Sequence, residues 1–292
     1  MTTSTQAIVQ QQEAAPKQRR RIWAKLEQQP LGLAAFVLLT ILVLTVLIAP
    51  FVYPHEPARA NPLSTFAEPS AEHWLGTDEL GRDVFARLLA GGRVSLAVGL
   101  LSMLVGLSIG TLVGGLAGYF GGTLESILMR LVDVFMAIPN FFLILVIVTS
   151  FGNHPAVIII TVGIGFWAQM ARVVYAEARK VKVNDFIEAS HALGGSHRRI
   201  LARHVLPQVL PQATVLATLG VGWAILTEAG LSYLGLGIQP PLASWGNMLQ
   251  NAQGNIWLAP MLAVYPGVAI AVTVLAFNLL GNSLRDLLDP RS

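Results

Sequence analysis

Long runs of uncharged, mostly apolar residues alternate along the chain with short segments that carry the charges. Residues 31–52 contain no charged side chain, and no charge occurs between Glu228 and Arg285. A helix needs about 20 apolar residues to cross the hydrocarbon core of a bilayer, and glycine- or proline-rich turns divide the longer runs. The pattern predicts six membrane-spanning helices, at residues 31–52, 94–118, 127–150, 156–177, 208–235 and 257–281.

These runs predict an all-α membrane protein. In lipid, backbone amides are satisfied only within helices or closed barrels, and the runs lack the alternation of barrel strands. The composition agrees with this class, because only 12% of the 292 residues are charged, whereas soluble proteins carry roughly 25%.

Composition and motifs also exclude several kinds of chemistry. The chain has no cysteine, which excludes disulfides, thiolate metal sites and cysteine nucleophiles, and its net charge of +3 does not indicate a nucleic-acid partner. The sequence contains no phosphate-binding loop, no nucleophile elbow and no histidine–carboxylate spacing typical of a metal site. We therefore predict a non-catalytic chain that binds neither a metal nor any other cofactor.

Lysine and arginine predict the orientation, because they concentrate on the cytoplasmic side of membrane proteins. Six spans place both termini on one side, and 15 of the 19 Lys and Arg residues then fall there. Both termini are therefore predicted to be cytoplasmic. The predicted organisation is a basic, disordered tail (1–30), an anchor helix with an extracytoplasmic segment (31–93), a transmembrane domain (94–282) and a cytoplasmic C-terminus (283–292).

The segment 178–206, between the fourth and fifth predicted spans, is longer than a simple linker needs to be. Asp185 and Glu188 have the spacing of a capping box at the start of a short helix. Gly194-Gly195 would end that helix, and Ser196 would cap a second helix that runs toward the next span. From the residues alone, an ordinary charged loop and a helical knob that docks into a partner's groove are equally good interpretations.

The extracytoplasmic segment between Tyr53 and Arg93 is also organised. Asp78 is placed to cap a short helix through Val84 and Leu89, with one apolar face along the membrane surface. Two interpretations stay open for this segment. It is either a structural lid at the membrane edge or a surface that contacts the substrate.

Within the second span a glycine recurs at every fourth position, which places four glycines on one face for close packing against another helix. These glycines are Gly106, Gly110, Gly114 and Gly118. Pro139 is expected to kink the third span. Three polar residues at membrane depth are candidates for lining a pathway, with structural pairing between helices as the alternative. These candidates are Glu228, Asn278 and Asn282.

The cytoplasmic loop reads EASHALGGSHRRILARHVLP from Glu188 to Pro207. It resembles the EAA loop of permease subunits in ATP-binding-cassette (ABC) importers, with Ser190 in place of the second alanine of that motif. The segments HWLGTDELGRDVFARLL, LSYLGLGIQPPLASWGNML and LRDLLDP are similar to the C-type permeases of the dipeptide, oligopeptide and nickel branch.

The resemblance implies a type I ABC importer permease fold, with a core of five helices plus the N-terminal anchor helix, in the inner membrane of a prokaryote. The implied partners are a second homologous permease, two cytosolic ATPases that use ATP and Mg²⁺, an extracytoplasmic solute-binding protein and the lipid bilayer. The residues implied to couple to an ATPase are Glu188, Ala189, Ser190, Leu193, Gly194, Gly195 and Pro207.

The solute stays open among dipeptides, oligopeptides, glutathione, opines and nickel chelates. A self-sufficient secondary transporter or channel, with Glu228 as its ion site, is the alternative function. Such transporters often contain internal repeats, and the two halves of this sequence show no clear repeat.

Overall fold

The computed structural model describes residues 29–53 and 55–288, and most of these residues are helical. The predicted disordered tail lies outside the described residues except for its last two positions, and the last four residues of the chain lie outside them as well. The helices are α1 (Pro30–Val52), α2 (Val84–Phe120), α3 (Gly122–Ala137), α4 (Asn140–Phe151), α5 (Pro155–Lys182), α6 (Asp185–Ala192), α7 (His197–Ile200), α8 (Leu206–Tyr233), α9 (Trp245–Gln253) and α10 (Met261–Leu288).

The third predicted span is broken. Within the described ranges, five helical stretches are long and apolar enough to cross a bilayer alone, whereas α3 and α4 qualify only as a pair that bends by 85°. The span predicted over 127–150 is therefore two helices rather than one kinked helix, and the bend falls at Pro139, where a kink was expected. The residue before a proline is disfavoured from helical conformation, and Ile138, which precedes Pro139, is accordingly extended with φ −86° and ψ 124°.

The second span begins at Val84 rather than at residue 94, and the expected surface helix is simply the first turns of α2. Asp83 caps this helix instead of Asp78, because Asp83 Oδ1 accepts a hydrogen bond from the Ala86 amide at 2.7 Å. Asp78 stabilises the preceding turn, where its Oδ2 lies 2.6 Å from Nε of Arg82. The segment before α2 is thus held by its own polar side chains.

The fifth span also begins earlier than predicted. His197–Tyr233 forms one helical rod, in which α7 passes into α8 through a wider π-helical turn at Leu201–Val205. In that turn the Leu206 amide donates to the carbonyl of Leu201, five residues back. Pro207 follows directly and has no amide proton for the regular helical ladder, so the wider turn lies where that ladder is interrupted.

The core is built on the pair α2 and α5, with α8 packed against this pair, α10 packed mainly on α8, and α1 resting on α10. All four glycines of the predicted stripe lie on the interface between α2 and α5. A Cβ atom at Gly110 would lie 2.5 Å from Cβ of Met170 and 2.9 Å from the carbonyl oxygen of Trp167. The two backbones therefore approach each other with no side chain of α2 between them at these positions.

Gly114→Ala is expected to destabilise the protein. Its Cβ would meet the carbonyl oxygen of Ala171 and lie 2.9 Å from the amide nitrogen of Tyr175, so the helices must separate, and such overpacking typically costs about 1–3 kcal/mol. Gly230→Ala in α8 is the matched control, because nothing lies within 4 Å of its Cβ position. Thermal unfolding in nanodiscs should give a lower midpoint for the first variant only, and equal midpoints would contradict close packing at Gly114.

Candidate functional site

The loop between α5 and α8, which the charge distribution predicts to be cytoplasmic, consists of two short helices joined by a tight turn. α6 ends in a Schellman motif, in which the Gly195 amide donates to the Ser190 carbonyl and the Gly194 amide donates to the His191 carbonyl, each at 2.9 Å. Gly194 has φ +81°, a conformation that glycine adopts without steric cost. A Cβ atom on Gly195 would lie 2.6 Å from the Ser190 carbonyl oxygen, so the turn depends on both glycines.

The side-chain caps predicted for these two helices are not formed. Asn184 and Ser196 occupy the N-cap positions of α6 and α7, but neither side chain accepts a capping hydrogen bond, and Asp185 is already the first helical residue. Burial of apolar side chains, rather than side-chain capping, holds these two helices in place. Ile187 on α6 and Ile200 on α7 are only 2% and 1% exposed, so both helices are anchored to the hydrophobic core.

Large apolar side chains are exposed to solvent on the outer surface of the loop. Leu193 is 89% exposed and Val183 is 77% exposed, while Phe186 is exposed to a lesser degree. Glu188 and Ala189 are exposed on the same loop. Exposed apolar groups rimmed by polar ones are typical of protein–protein contact surfaces.

Two residues of the EAA-like motif, Ser190 and Pro207, differ from the exposed residues of the loop in what surrounds them. Ser190 donates a hydrogen bond from Oγ to the Phe186 carbonyl at 2.7 Å, so its hydroxyl is satisfied within α6. Pro207 lies outside the loop, in the first turn of α8. The structure therefore separates the motif into an exposed helical part and a part that belongs to the span.

Tyr119 attaches the loop to the C-terminal end of α2. Its hydroxyl lies 3.2 Å from Nε2 of His191 on α6 and 3.0 Å from Nδ1 of His197 on α7. Tyr119 itself is buried. One hydroxyl thus bridges both helices of the loop to a membrane span. No linear pattern singles out this residue, because its partners follow 72 and 78 positions later in the chain.

A cavity of about 520 Å³ lies beside the break between α3 and α4. Irregular backbone at membrane depth is tolerated only where it is buried in protein or lines a water-filled cavity, so the break and the cavity fit together. The lining residues on the break are Phe135, Met136, Ile138, Pro139, Asn140 and Phe141. The lining residues on α5 and α8 are Ile164, Gly165, Ala168, Gln169, Trp223 and Thr227.

Neutral polar side chains occur among the apolar residues that line the cavity. They are Asn140, Gln169 and Thr227, and no charged residue of the described chain lines the cavity. Gln169 lies halfway along α5, about 20 Å from the first residue of that helix, which places the cavity near the middle of the span. The sequence did not predict these lining residues, because the third span was expected to be a single kinked helix.

Glu228 does not line this cavity. Its side chain is fully buried, and its carboxylate accepts hydrogen bonds from Ser95 Oγ at 3.2 Å and from Ser232 Oγ at 2.7 Å. Ser95 Oγ also accepts a hydrogen bond from the Trp245 amide at 3.2 Å, at the start of α9. Glu228 therefore belongs to a polar contact that joins α2, α8 and α9.

The two asparagines proposed alongside Glu228 lie on α10. Asn278 is half-buried and Asn282 is exposed. Neither residue lines the cavity beside the broken span. A role of any of these three polar residues in the pathway stays a prediction.

The segment between α1 and α2, predicted to be extracytoplasmic, is folded onto the start of α2. Arg87 is buried with its Nε 3.4 Å from Oδ2 of Asp78, and Tyr53 donates a hydrogen bond to Oδ2 of Asp83 at 2.8 Å. Burial, together with this hydrogen bond to a carboxylate, raises the pKa of Tyr53 to about 12, so its hydroxyl stays protonated at neutral pH. These internal contacts favour the structural interpretation of the segment.

Comparison with known proteins decides the family. The model for binding-protein-dependent transport system inner membrane components matches residues 110–292. The chain belongs to this family of transport permeases. A second model, for the N-terminal TM domain of oligopeptide transport permease C, matches residues 17–69 of the permease, in agreement with the expected C-type branch.

Two relatives match nearly the whole permease. The glutathione transport system permease protein GsiD of Pectobacterium atrosepticum is 40% identical over 273 residues, which cover 93% of this chain and 91% of the relative. The nickel transport system permease protein NikC of Escherichia coli (strain K12) is 39% identical over 256 residues, which cover 88% of this chain and 92% of the relative. The expected role, a permease component of a binding-protein-dependent ABC importer in the inner membrane, is confirmed.

A solved structure supports the fold. A chain of the MetNI methionine ABC transporter, in an inward-facing conformation, superposes on the permease with a TM-score of 0.56, covering 70% of this chain and 97% of that chain at 19% sequence identity. The expected type I ABC importer permease fold is confirmed. Members of this family are transporter subunits rather than enzymes.

Tyr119→Phe is expected to loosen the loop between α5 and α8. The substitution removes two neutral hydrogen bonds, each worth about 1 kcal/mol, so amide exchange over residues 185–200 should become about 5- to 30-fold faster. Hydrogen-exchange mass spectrometry of the permease in nanodiscs measures this rate. Tyr233→Phe, at a half-exposed tyrosine that ends α8, is the matched control, and equal exchange in both variants would exclude Tyr119 as the anchor of the loop.

Proposed function

We propose that this permease forms half of the solute pathway of an ATP-driven importer and receives its driving motion through the loop that contains α6 and α7. The observation that supports this proposal is the shape of the loop. Its two helices are joined by a Schellman turn and bound to α2 through Tyr119, while Leu193 is 89% exposed. A rigid pair of helices can pass the movement of a bound ATPase on to the membrane spans, whereas a flexible loop would absorb that movement.

The residues of the loop divide into two proposed roles. Glu188, Ala189 and Leu193 lie on the exposed surface and would contact a cytosolic ATPase by docking into a groove. Gly194 and Gly195 would hold the turn that sets the angle between the helices. Docking that differs between nucleotide states of the ATPase is what allows ATP and Mg²⁺, bound by that partner, to shift the permease between conformations.

The cavity beside the broken span is the proposed place of passage. Its volume of about 520 Å³ lies within the range of about 300–1,000 Å³ found for small-molecule sites. The neutral lining does not select solutes by charge. Di- and oligopeptides and related small solutes suit such a lining, and the relatives GsiD and NikC are named for glutathione and nickel.

The family and the charge distribution support our proposal for the remaining assembly. A second homologous permease would complete the pathway, two cytosolic ATPases would bind the loops, and an extracytoplasmic solute-binding protein would deliver the solute. Because 15 of 19 Lys and Arg residues fall on the side of the termini, both termini would be cytoplasmic. This orientation counts α3 and α4 together as one crossing and places the loop beside the ATPases.

Leu193→Glu is expected to weaken capture of the ATPase subunits by the permease at least about tenfold, because burial of a leucine side chain contributes about 1.5–3 kcal/mol and a charge resists burial. The amount of ATPase that co-purifies with the tagged permease from co-expressing cells measures this change. ATP hydrolysis by the assembled complex in nanodiscs, with loaded binding protein present, should fall in parallel.

Leu63→Glu is the matched control, because Leu63 is 97% exposed but lies in the extracytoplasmic segment. This variant should capture the ATPases as well as the wild type does. Normal capture by Leu193→Glu would contradict docking through the loop. Transport by the permease alone in liposomes, driven by an ion gradient, would favour the alternative of a self-sufficient transporter.

A further inference from the structure

The fold brings together three metal-ligating side chains that are distant in sequence. His55 follows α1, His73 lies in the extracytoplasmic segment and Asp83 caps α2. One potential ligand atom from each lies within 4.8 Å of the other two. The prediction that the chain binds no metal came from linear spacing alone, which does not report on side chains that the fold brings together.

Asp83 is held in position from two sides. Its Oδ1 accepts the capping hydrogen bond from the Ala86 amide at 2.7 Å, while Oδ2 lies 2.8 Å from both the Tyr53 hydroxyl and Nδ1 of His73. The Asp83 side chain is only 3% exposed. A carboxylate that is oriented by a hydrogen-bond donor behind it is the usual arrangement at metal sites.

His55 provides an independent observation that points to a ligand. Its Nδ1 is buried and has no hydrogen-bond partner among the described residues. Buried polar atoms nearly always have a partner, and a bound ion or water is one explanation for an exception. The His55 ring stacks on Tyr53 with 4.3 Å between ring centroids, and this stacking holds the ring beside the other two side chains of the cluster.

The cluster is accessible from the extracytoplasmic side. His55, His73 and Asp83 all line a cavity of about 610 Å³. Glu56 and Glu72 line the same cavity and add two negative charges, against one positive charge from Arg59. A wall with an excess of negative charge attracts cations, and the cavity provides their entry path.

We propose that His55, His73 and Asp83 bind a divalent transition-metal ion of the zinc type. Two imidazoles and one carboxylate form a ligand set that suits Zn²⁺ and its first-row neighbours. Three atoms within 4.8 Å of one another share a point about 2.8 Å or less from each, so small side-chain rotations reach the zinc bond length of about 2.0–2.2 Å. The ion links the end of α1 to the start of α2, and water completes its coordination.

Zn²⁺ titration of the full-length permease in nanodiscs, purified with a histidine-free tag, tests this site. Calorimetry should show one saturable ion per chain, and Zn²⁺ should raise the thermal midpoint. Tyr53→Phe removes the donor behind Asp83 and should weaken Zn²⁺ binding about 10- to 100-fold. His55→Phe keeps an aromatic ring at the stacking position but removes the nitrogen, so it should weaken binding further and leave the metal-free midpoint unchanged.

His154→Ala is the control, because His154 lies at the start of α5 and outside the cluster. This variant should bind Zn²⁺ as the wild type does. The proposal is overturned if the wild type shows no saturable site, or if binding survives His55→Phe. Neither result depends on the ATPases or on the solute, so this test is separate from that of the transport function.

Discussion

The close approach of α2 and α5 is the contact on which the rest of the permease depends. Glycines on α2 allow the carbonyls of α5 to lie directly against it, and two backbones in contact form a pair with little room to deform. Asp83 caps the N-terminal end of α2 and Tyr119 lies near its C-terminal end, while α5 carries Gln169 on the wall of the cavity. The outer segment, the cavity and the loop are therefore attached to one rigid unit.

Polar groups within the membrane serve two different purposes in this structure. The carboxylate of Glu228 accepts hydrogen bonds from serine hydroxyl groups and so joins three helices. These hydrogen bonds offset the free-energy cost of placing an ionisable group at membrane depth. The amide of Gln169 instead faces a cavity beside a broken helix. The Glu228 contact can keep α2, α8 and α9 in register, and in our proposal the wall around Gln169 is the part that faces the solute.

The sequence predicts the spans well because lipid selects for long apolar runs, but it predicts their ends poorly. Hydropathy indicates where a helix enters the lipid, but the helix itself can begin earlier. The helix α2 begins at Val84 because Asp83 caps it and because Asp78 pairs with Arg87 outside the lipid. The Gly194-Gly195 turn was predictable because a Schellman motif is local in sequence. Tyr119, the cavity and the histidine cluster depend on contacts between distant residues, for which one sequence carries no signal.

Thiol accessibility tests most directly whether the cavity beside the broken span is the solute pathway of an ATP-driven permease. The chain has no native cysteine, so a single Gln169→Cys variant reports from the cavity alone, and Leu100→Cys, half-exposed on α2, serves as the comparison. In the assembled transporter, a water-soluble thiol reagent should label position 169 at a rate that changes when ATP binds, while position 100 stays unreactive. Labelling at 169 that is no faster than at 100, with or without ATP, would contradict the proposed pathway.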